Sequence, residues 1–306
     1  LFPYTTLFRS RRAFRSPMPM ARPAGGGIDL VPVREGRLGN RSVHLIDTLL
    51  IGGKGTIGSG LRTYLPQLDT SYRVTSVDLP GAEDKATDPD AHRYFIDLDV
   101  SADDACLRQA LEGRDLVVYL ARKDPLGDMN TMTERVFRAV MDVCPEALMI
   151  GSSSVHATGG AYYSLTHDPD GPIAARRFDE VDPWPEPLSV MTEPFPTGDY
   201  GIEKAYVEAW CHRLGAVGQD AVAARWGGIN PGNGKKDEIS YYTVWCHQED
   251  SARFVDACFK TSQAGKLRPS AHYYVISDNT YNIFDIETTR REIGYQPQHN
   301  AESLYG

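Results

Sequence analysis

The sequence predicts an α/β fold, a doubly wound parallel sheet with a small C-terminal lobe, on three observations. Short apolar runs alternate with amphipathic stretches at the spacing of β-α units. The first apolar run passes directly into a glycine-rich loop that opens a helix. The second run ends in a carboxylate, Asp78, 20 residues beyond Gly58 of that loop.

The elements follow in order. Residues 43–51 form a short run rich in Leu and Ile, the pattern of a buried strand. After the loop at 52–60, Leu61, Tyr64 and Leu65 lie on one face of a helix. Further strands are expected at 72–79, 94–98, 115–120 and 147–150, with helices at 102–112 and 130–143 between them. These assignments give a dinucleotide-binding domain over 41–225 and a substrate-binding lobe over 226–306. A stretch rich in Pro and acidic residues, about 161–196, interrupts the first domain and is expected as a lid or rim. Residues 1–40 carry Arg, Pro and Gly without apolar periodicity and are expected as a disordered or artefactual extension. Leu1 to Ser10 resembles the translation of a sequencing adapter, which makes Met18 or Met20 the expected start. A targeting peptide is disfavoured because no apolar h-region follows the arginines.

Composition narrows the function classes. The chain has 306 residues, a net charge of −9, 41% hydrophobic and 24% charged residues, with a pI near 5.4. An acidic balance argues against a nucleic-acid partner, which needs clustered Lys and Arg. No apolar run is long enough to span a membrane. The five cysteines are odd in number and never spaced as C-x-x-C, so neither a disulfide framework nor a metal site is expected. Reduced thiols point to the cytoplasm. Cys246-His247 has the look of a nucleophile beside a base, but neighbours in sequence point in different directions.

Three motifs carry chemistry. Gly52, Gly55 and Gly58 stand as G-x-x-G-x-x-G between strand and helix, where a pyrophosphate can sit at the helix N-terminus. With Asp78 placed for the ribose hydroxyls this is a Rossmann-type cofactor site. A carboxylate there repels a 2′-phosphate and favours NAD over NADP. Asp97, at the end of the third strand, is placed to accept from the adenine amino group. Tyr200 and Lys204 are spaced i, i+4, so phenol and ammonium address one ligand from one helix face. A phenol working as a base near neutrality needs about 4 kcal/mol of preferential phenolate stabilisation, which a neighbouring ammonium helps to supply. Gly151-Ser152-Ser153-Ser154 closes a strand at the carboxyl edge of the sheet, where a hydroxyl can hold a substrate oxygen.

Together these residues resemble the extended short-chain dehydrogenase/reductases, the NAD-dependent epimerase/dehydratase family, over almost all of 43–304. The resemblance implies NAD, held by Gly52, Gly55, Thr56, Ile57, Gly58, Asp78, Asp97, Leu98, Leu120, Ala121, Arg122, Asn130, Lys204 and Ile229. Counting back from Gly159, where the family's serine run ends in a Tyr-Gly pair, makes Ser154 the catalytic serine beside Tyr200 and Lys204. A slip of one residue would give Ser153, which is retained with His156 as a substrate residue. A homodimer through helices at 130–143 and 200–213 is also implied.

Within the family, 153–156, 225–231, 243–250 and 293–302 resemble the uronate dehydrogenases. Val155 stands where those enzymes have Asn, Gly228 where they have a substrate-binding Ser, and their carboxylate-binding Arg has no counterpart. Lys235 or Lys236 could replace that cation, without its bidentate fork. The expected function is therefore Tyr-Lys-Ser hydride transfer to NAD from a sugar or sugar-acid hydroxyl. The rival readings are a nucleotide-sugar epimerase or dehydratase that retains its NAD, and a non-catalytic dinucleotide sensor. A sensor has no use for the Tyr-Lys pair.

Overall fold

The computed structural model describes residues 45–89 and 91–306. The extension expected at 1–40 and the first residues of the strand expected at 43–51 lie outside them. Seven strands form one sheet: β1 (Ile46–Ile51), β2 (Tyr72–Asp78), β3 (Phe95–Asp97), β4 (Leu116–Tyr119), β5 (Leu148–Ser154), β6 (Ala221–Trp226) and β7 (Ala271–Val275). All pairings are parallel and the order is β3-β2-β1-β4-β5-β6-β7. The chain winds one way from β1 to β3 and the other way from β4 onward. The switch between β1 and β4 therefore opens a crevice at the carboxyl ends of the strands.

Helices cover both faces. They are α1 (Thr56–Leu68), α2 (Asp104–Leu111), α3 (Leu126–Val143), α4 (Gly159–Thr166), α5 (Asp199–Ala216), α6 (Tyr241–Val244), α7 (Gln248–Gln263) and α8 (Glu287–Ile293). Strand alternation divides the core between them. Ile46 and Leu50 of β1 join Leu61, Leu65, Phe254 and Val255 on the α1/α7 side. Leu49 and Ile51 join Leu107, Val136, Phe137 and Val207 on the α2/α3/α5 side. A residue period of two thus buries both faces of one strand. All four residues of β4 are fully buried, each such side chain contributing roughly 1.5–3 kcal/mol by its removal from water. Pro66 in the last turn of α1 has no N–H for the carbonyl of Arg62, and His92 N donates to that carbonyl instead, at 3.4 Å.

The segment 226–306, expected as a separate lobe, is only partly one. It contributes β7 to the main sheet and α7 to the α1 side of the core, and the described residues make one compact unit. A smaller apolar cluster joins Ile173 of the inserted stretch to Tyr241, Tyr242, Trp245 and Ala301. Phe178 of the same stretch stacks on Tyr281, their ring centroids 3.4 Å apart. Among the described residues no helix is long and apolar enough to cross a membrane.

Candidate active site

At the switch point the glycine loop turns from β1 into α1. Gly52 has φ +92°, and a Cβ there would lie 2.6 Å from the backbone nitrogen of Ala121, so only glycine meets both constraints. A cavity of about 280 Å³ opens beside it. Of the residues expected to hold the cofactor, Gly52, Gly55, Asp78, Leu98, Leu120, Ala121 and Arg122 line this groove. A Cβ at Gly55 would touch only the Gly52 carbonyl, at 3.4 Å. It would otherwise project into free space, so the loop leaves a cradle where a ligand backbone can approach. Asp78 accepts from the backbone N–H of Lys54 at 2.7 Å and of Leu79 at 3.0 Å, which fixes its carboxylate at the groove wall.

Other expected cofactor residues are placed differently. Asp97 does not line the groove; its side chain is 61% exposed and pairs with Lys54 Nζ at 3.3 Å. Strand β3 ends at Asp97, and the next carboxylate, Asp99, lines the groove instead, held by Ser101 Oγ and N–H below the usual carboxylate range. Thr56, Ile57 and Gly58 open α1 behind the loop. Ile229 packs against the core cluster on the α1/α7 side. Asn130 lies on α3 with its buried Oδ1 unpartnered.

Strand β5 runs through the serine run instead of ending before it, and its pleat separates the two candidate serines. Ser153 Oγ donates to the buried Glu208 at 2.6 Å, and Glu208 is clamped by Nε and Nη2 of Arg225 at 2.8 and 2.9 Å. Ser153 therefore belongs to a structural ion-pair network and not to the substrate site expected for it. Ser154 faces the other way: its Oγ donates to the carbonyl of Trp226 at 3.4 Å and accepts from the N–H of His156 at 3.3 Å, on the side from which it pulls the Tyr200 phenol down. Helix α5 reaches this position because Gly201 lets its first turn approach the strand end; a Cβ there would come within 2.6 Å of the carbonyl of His156. The ring of His156 meets that of Tyr200 at 5.4 Å, edge on.

Lys204 and Tyr200 share a helix face as the spacing requires, Lys204 Nζ lying 5.1 Å from the Tyr200 ring centre. Between them in sequence stands a residue that the motif reading missed. Glu203 is buried, 2% exposed, and accepts from Arg122 Nε at 2.9 Å while pairing with Lys204 Nζ at 3.2 Å. The Arg122 guanidinium also lies over the Tyr200 ring at 5.4 Å. Burial lowers the Lys204 ammonium, and Glu203 opposes that shift. Burial raises the Tyr200 phenol above its ordinary value although 40% of the residue is exposed; Ser154 and Arg122 pull it down and Glu203 pushes it up.

Beyond His156 lies a second hollow of about 100 Å³, walled by α4, α6 and the 227–228 turn. Its polar lining is His156, Thr166, His167, Glu238, Ser240, Tyr241 and Thr243. Of these the sequence motifs had singled out only His156. The others come from the inserted stretch and the C-terminal segment, brought together by tertiary contact alone.

Cys246 is buried and its thiol bonds Ser251 at 3.6 Å, not the imidazole of His247. Burial pushes that thiol up, and it brings His247 down to about 4. The pair is therefore inert as a nucleophile and base. His247, Glu249 and His299 bring ligand atoms within 4.8 Å of one another. The two imidazoles stack at 3.6 Å and 7°, so their in-plane lone pairs run parallel and cannot converge on one ion.

Comparison with known proteins bears on the fold. No family model matches the chain. A curated relative, the NAD-dependent glucose-6-phosphate dehydrogenase of Haloferax volcanii, is 26% identical over 271 residues, covering 83% of this chain and 93% of its own. The uronate dehydrogenase of Agrobacterium tumefaciens superposes with a TM-score of 0.63 at 17% identity, over 86% of this chain and 88% of that one. The dTDP-glucose 4,6-dehydratase of Bacillus anthracis, solved with NAD, gives 0.60 at 13% identity over 85% and 94%. The chain has the fold of the extended short-chain dehydrogenase/reductases.

Proposed function

We propose that the protein is an NAD-dependent oxidoreductase that oxidises a hydroxyl of a sugar or sugar acid. The observation that carries this reading is the position of Tyr200, with Lys204 on the same helix face, between Arg122 of the groove that Asp78 lines and His156 of the second hollow, at the strand end that carries Ser154. NAD fits that groove by the Gly55 cradle and by Asp78, whose charge disfavours a 2′-phosphate. When bound, NAD supplies the hydride acceptor. Ser154 holds the reacting oxygen, and Tyr200 as phenolate takes the proton of the carbinol hydroxyl. Lys204 places a positive charge beside that phenolate and is itself held by Glu203. In the reverse direction the protonated phenol is the donor.

We propose a reducing, cytoplasmic setting for this activity, a reading that the five free cysteines support. We also propose that a second copy of the chain packs on the surface groove between α3 and α5, which is lined by Arg138, Met141, Tyr206, Ala209, Trp210 and Arg213.

The test is NADH formation from NAD with free aldoses and uronates, alongside nucleotide sugars. Net NADH from a free sugar supports the dehydrogenase reading. A nucleotide sugar converted with no net NADH, by protein that retains its NAD, would replace that reading with an epimerase or dehydratase.

A further inference from the structure

We infer that the hollow beside Tyr200 selects an uncharged polyhydroxyl substrate, a free aldose or polyol, over sugars that carry a carboxylate or a phosphate. The inference rests on the catalytic reading of Tyr200 and adds the substrate's charge to it. The charged lining of the hollow is a single carboxylate, Glu238. The two imidazoles are neutral at pH 7, because burial lowers both His156 and His167 from an ordinary value that is already below neutrality. Tyr163 fixes their orientation: its hydroxyl bonds His156 Nδ1 at 2.6 Å and its ring stacks on His167 at 4.0 Å.

The cations that the sequence offered, Lys235 and Lys236, are engaged elsewhere, as are three arginines of the insertion and C-terminal part. Lys235 lies over the Tyr305 ring at 5.0 Å. Lys236 pairs with Glu238 at 3.7 Å from outside the hollow and is not among its lining residues. Arg253 is held by Glu249, and Arg176 is forked onto Glu302. Arg225 is buried on β6, paired with Glu208 of α5.

An anionic substituent entering this hollow would lose water and find no ammonium or guanidinium among its lining residues, the one ammonium beside it, Lys236, being already paired with Glu238. An uncharged sugar meets matching groups. Glu238 accepts from its hydroxyls, each free imidazole nitrogen offers a donor or an acceptor according to its tautomer, and Tyr162 and Tyr241 offer apolar surface to its C–H bonds.

The test separates binding from turnover. An aldose, its uronate and its 6-phosphate are titrated calorimetrically into the NAD-loaded Tyr200→Phe protein, and the same three are assayed for NADH with the wild type. The expected result is an aldose affinity at least about tenfold above that of either anion, narrowed by Glu238→Gln and reversed by Glu238→Arg. Uronate or phosphate binding as tightly as the aldose, or no binding by any of the three, would overturn the inference. Aldose-selective binding with no NADH from the wild type would leave the inference standing and remove the dehydrogenase reading.

Discussion

At the scale of single residues, the glycine loop separates fold from ligand. Gly52→Ala forces a Cβ into the Ala121 backbone at positive φ, and we expect it to lower stability by about 1–3 kcal/mol in chemical denaturation. Gly55→Ala meets no protein atom closer than 3.4 Å. It should leave stability within about 0.5 kcal/mol while weakening NAD binding tenfold or more, because its methyl occupies the cradle. Equal NAD affinity in the Gly55 variant would contradict the assigned cradle.

Glu203 makes a second prediction at this scale. Since Tyr200 is raised, the phenolate needed for oxidation is gained as pH rises, so kcat/KM for oxidation should climb toward alkaline pH. Removing the carboxylate that pushes the phenol up, by Glu203→Gln, should move that acid limb to lower pH. An unmoved limb would mean that Glu203 only packs. The spacing of Tyr200 and Lys204 was legible because i, i+4 is a local property. Glu203 was not, since its burial depends on Arg122, 81 residues away in sequence. The two candidate serines differ by a contact of the same kind: Ser153 faces α5 and meets Glu208, 55 residues away, whereas Ser154 faces the other way.

At the scale of elements, periodicity located β1 to β4 and the helices between them to within a few residues. The exceptions have physical causes. Helix α3 begins at Leu126, a turn before the expected 130, because Pro125 serves as its N-cap with an extended backbone. Strand β5 continues through three serines because β6 pairs with each of them, giving polar residues a ladder that their composition does not advertise. Strand β7, Ala271–Val275, reads as aromatic rather than aliphatic, and only the sheet edge at β6 makes it a strand.

The Arg225–Glu208 pair ties β6 to α5 with both side chains almost fully buried. Glu208→Ala leaves a buried guanidinium uncompensated and should cost about 3–5 kcal/mol. The double variant Glu208→Leu with Arg225→Met should recover most of that loss. A single-variant loss below about 1 kcal/mol would show that water reaches the pair.

At the scale of the whole molecule, the class of sheet was legible and the partition of the C-terminal segment was not. Residues 226–306 return to the sheet through β7 and to α1 through α7, contacts set by topology rather than by any motif. The second hollow is likewise a product of assembly, drawing His167 from the insertion and Glu238 from the C-terminal segment. A dimer through α3 and α5 should sediment at twice the chain mass of 33.9 kDa, and Trp210→Glu should return it to a monomer without loss of fold. A wild-type monomer at micromolar concentration would remove the proposed interface.

The most direct test of the central claim measures NADH absorbance and NAD binding on the same samples of wild type and Tyr200→Phe. The account predicts sugar-dependent NADH from the wild type, a loss of about 10²-fold or more in kcat for the variant, and NAD affinity unchanged between them. Equal turnover in the variant would contradict the assignment of Tyr200 as the catalytic base.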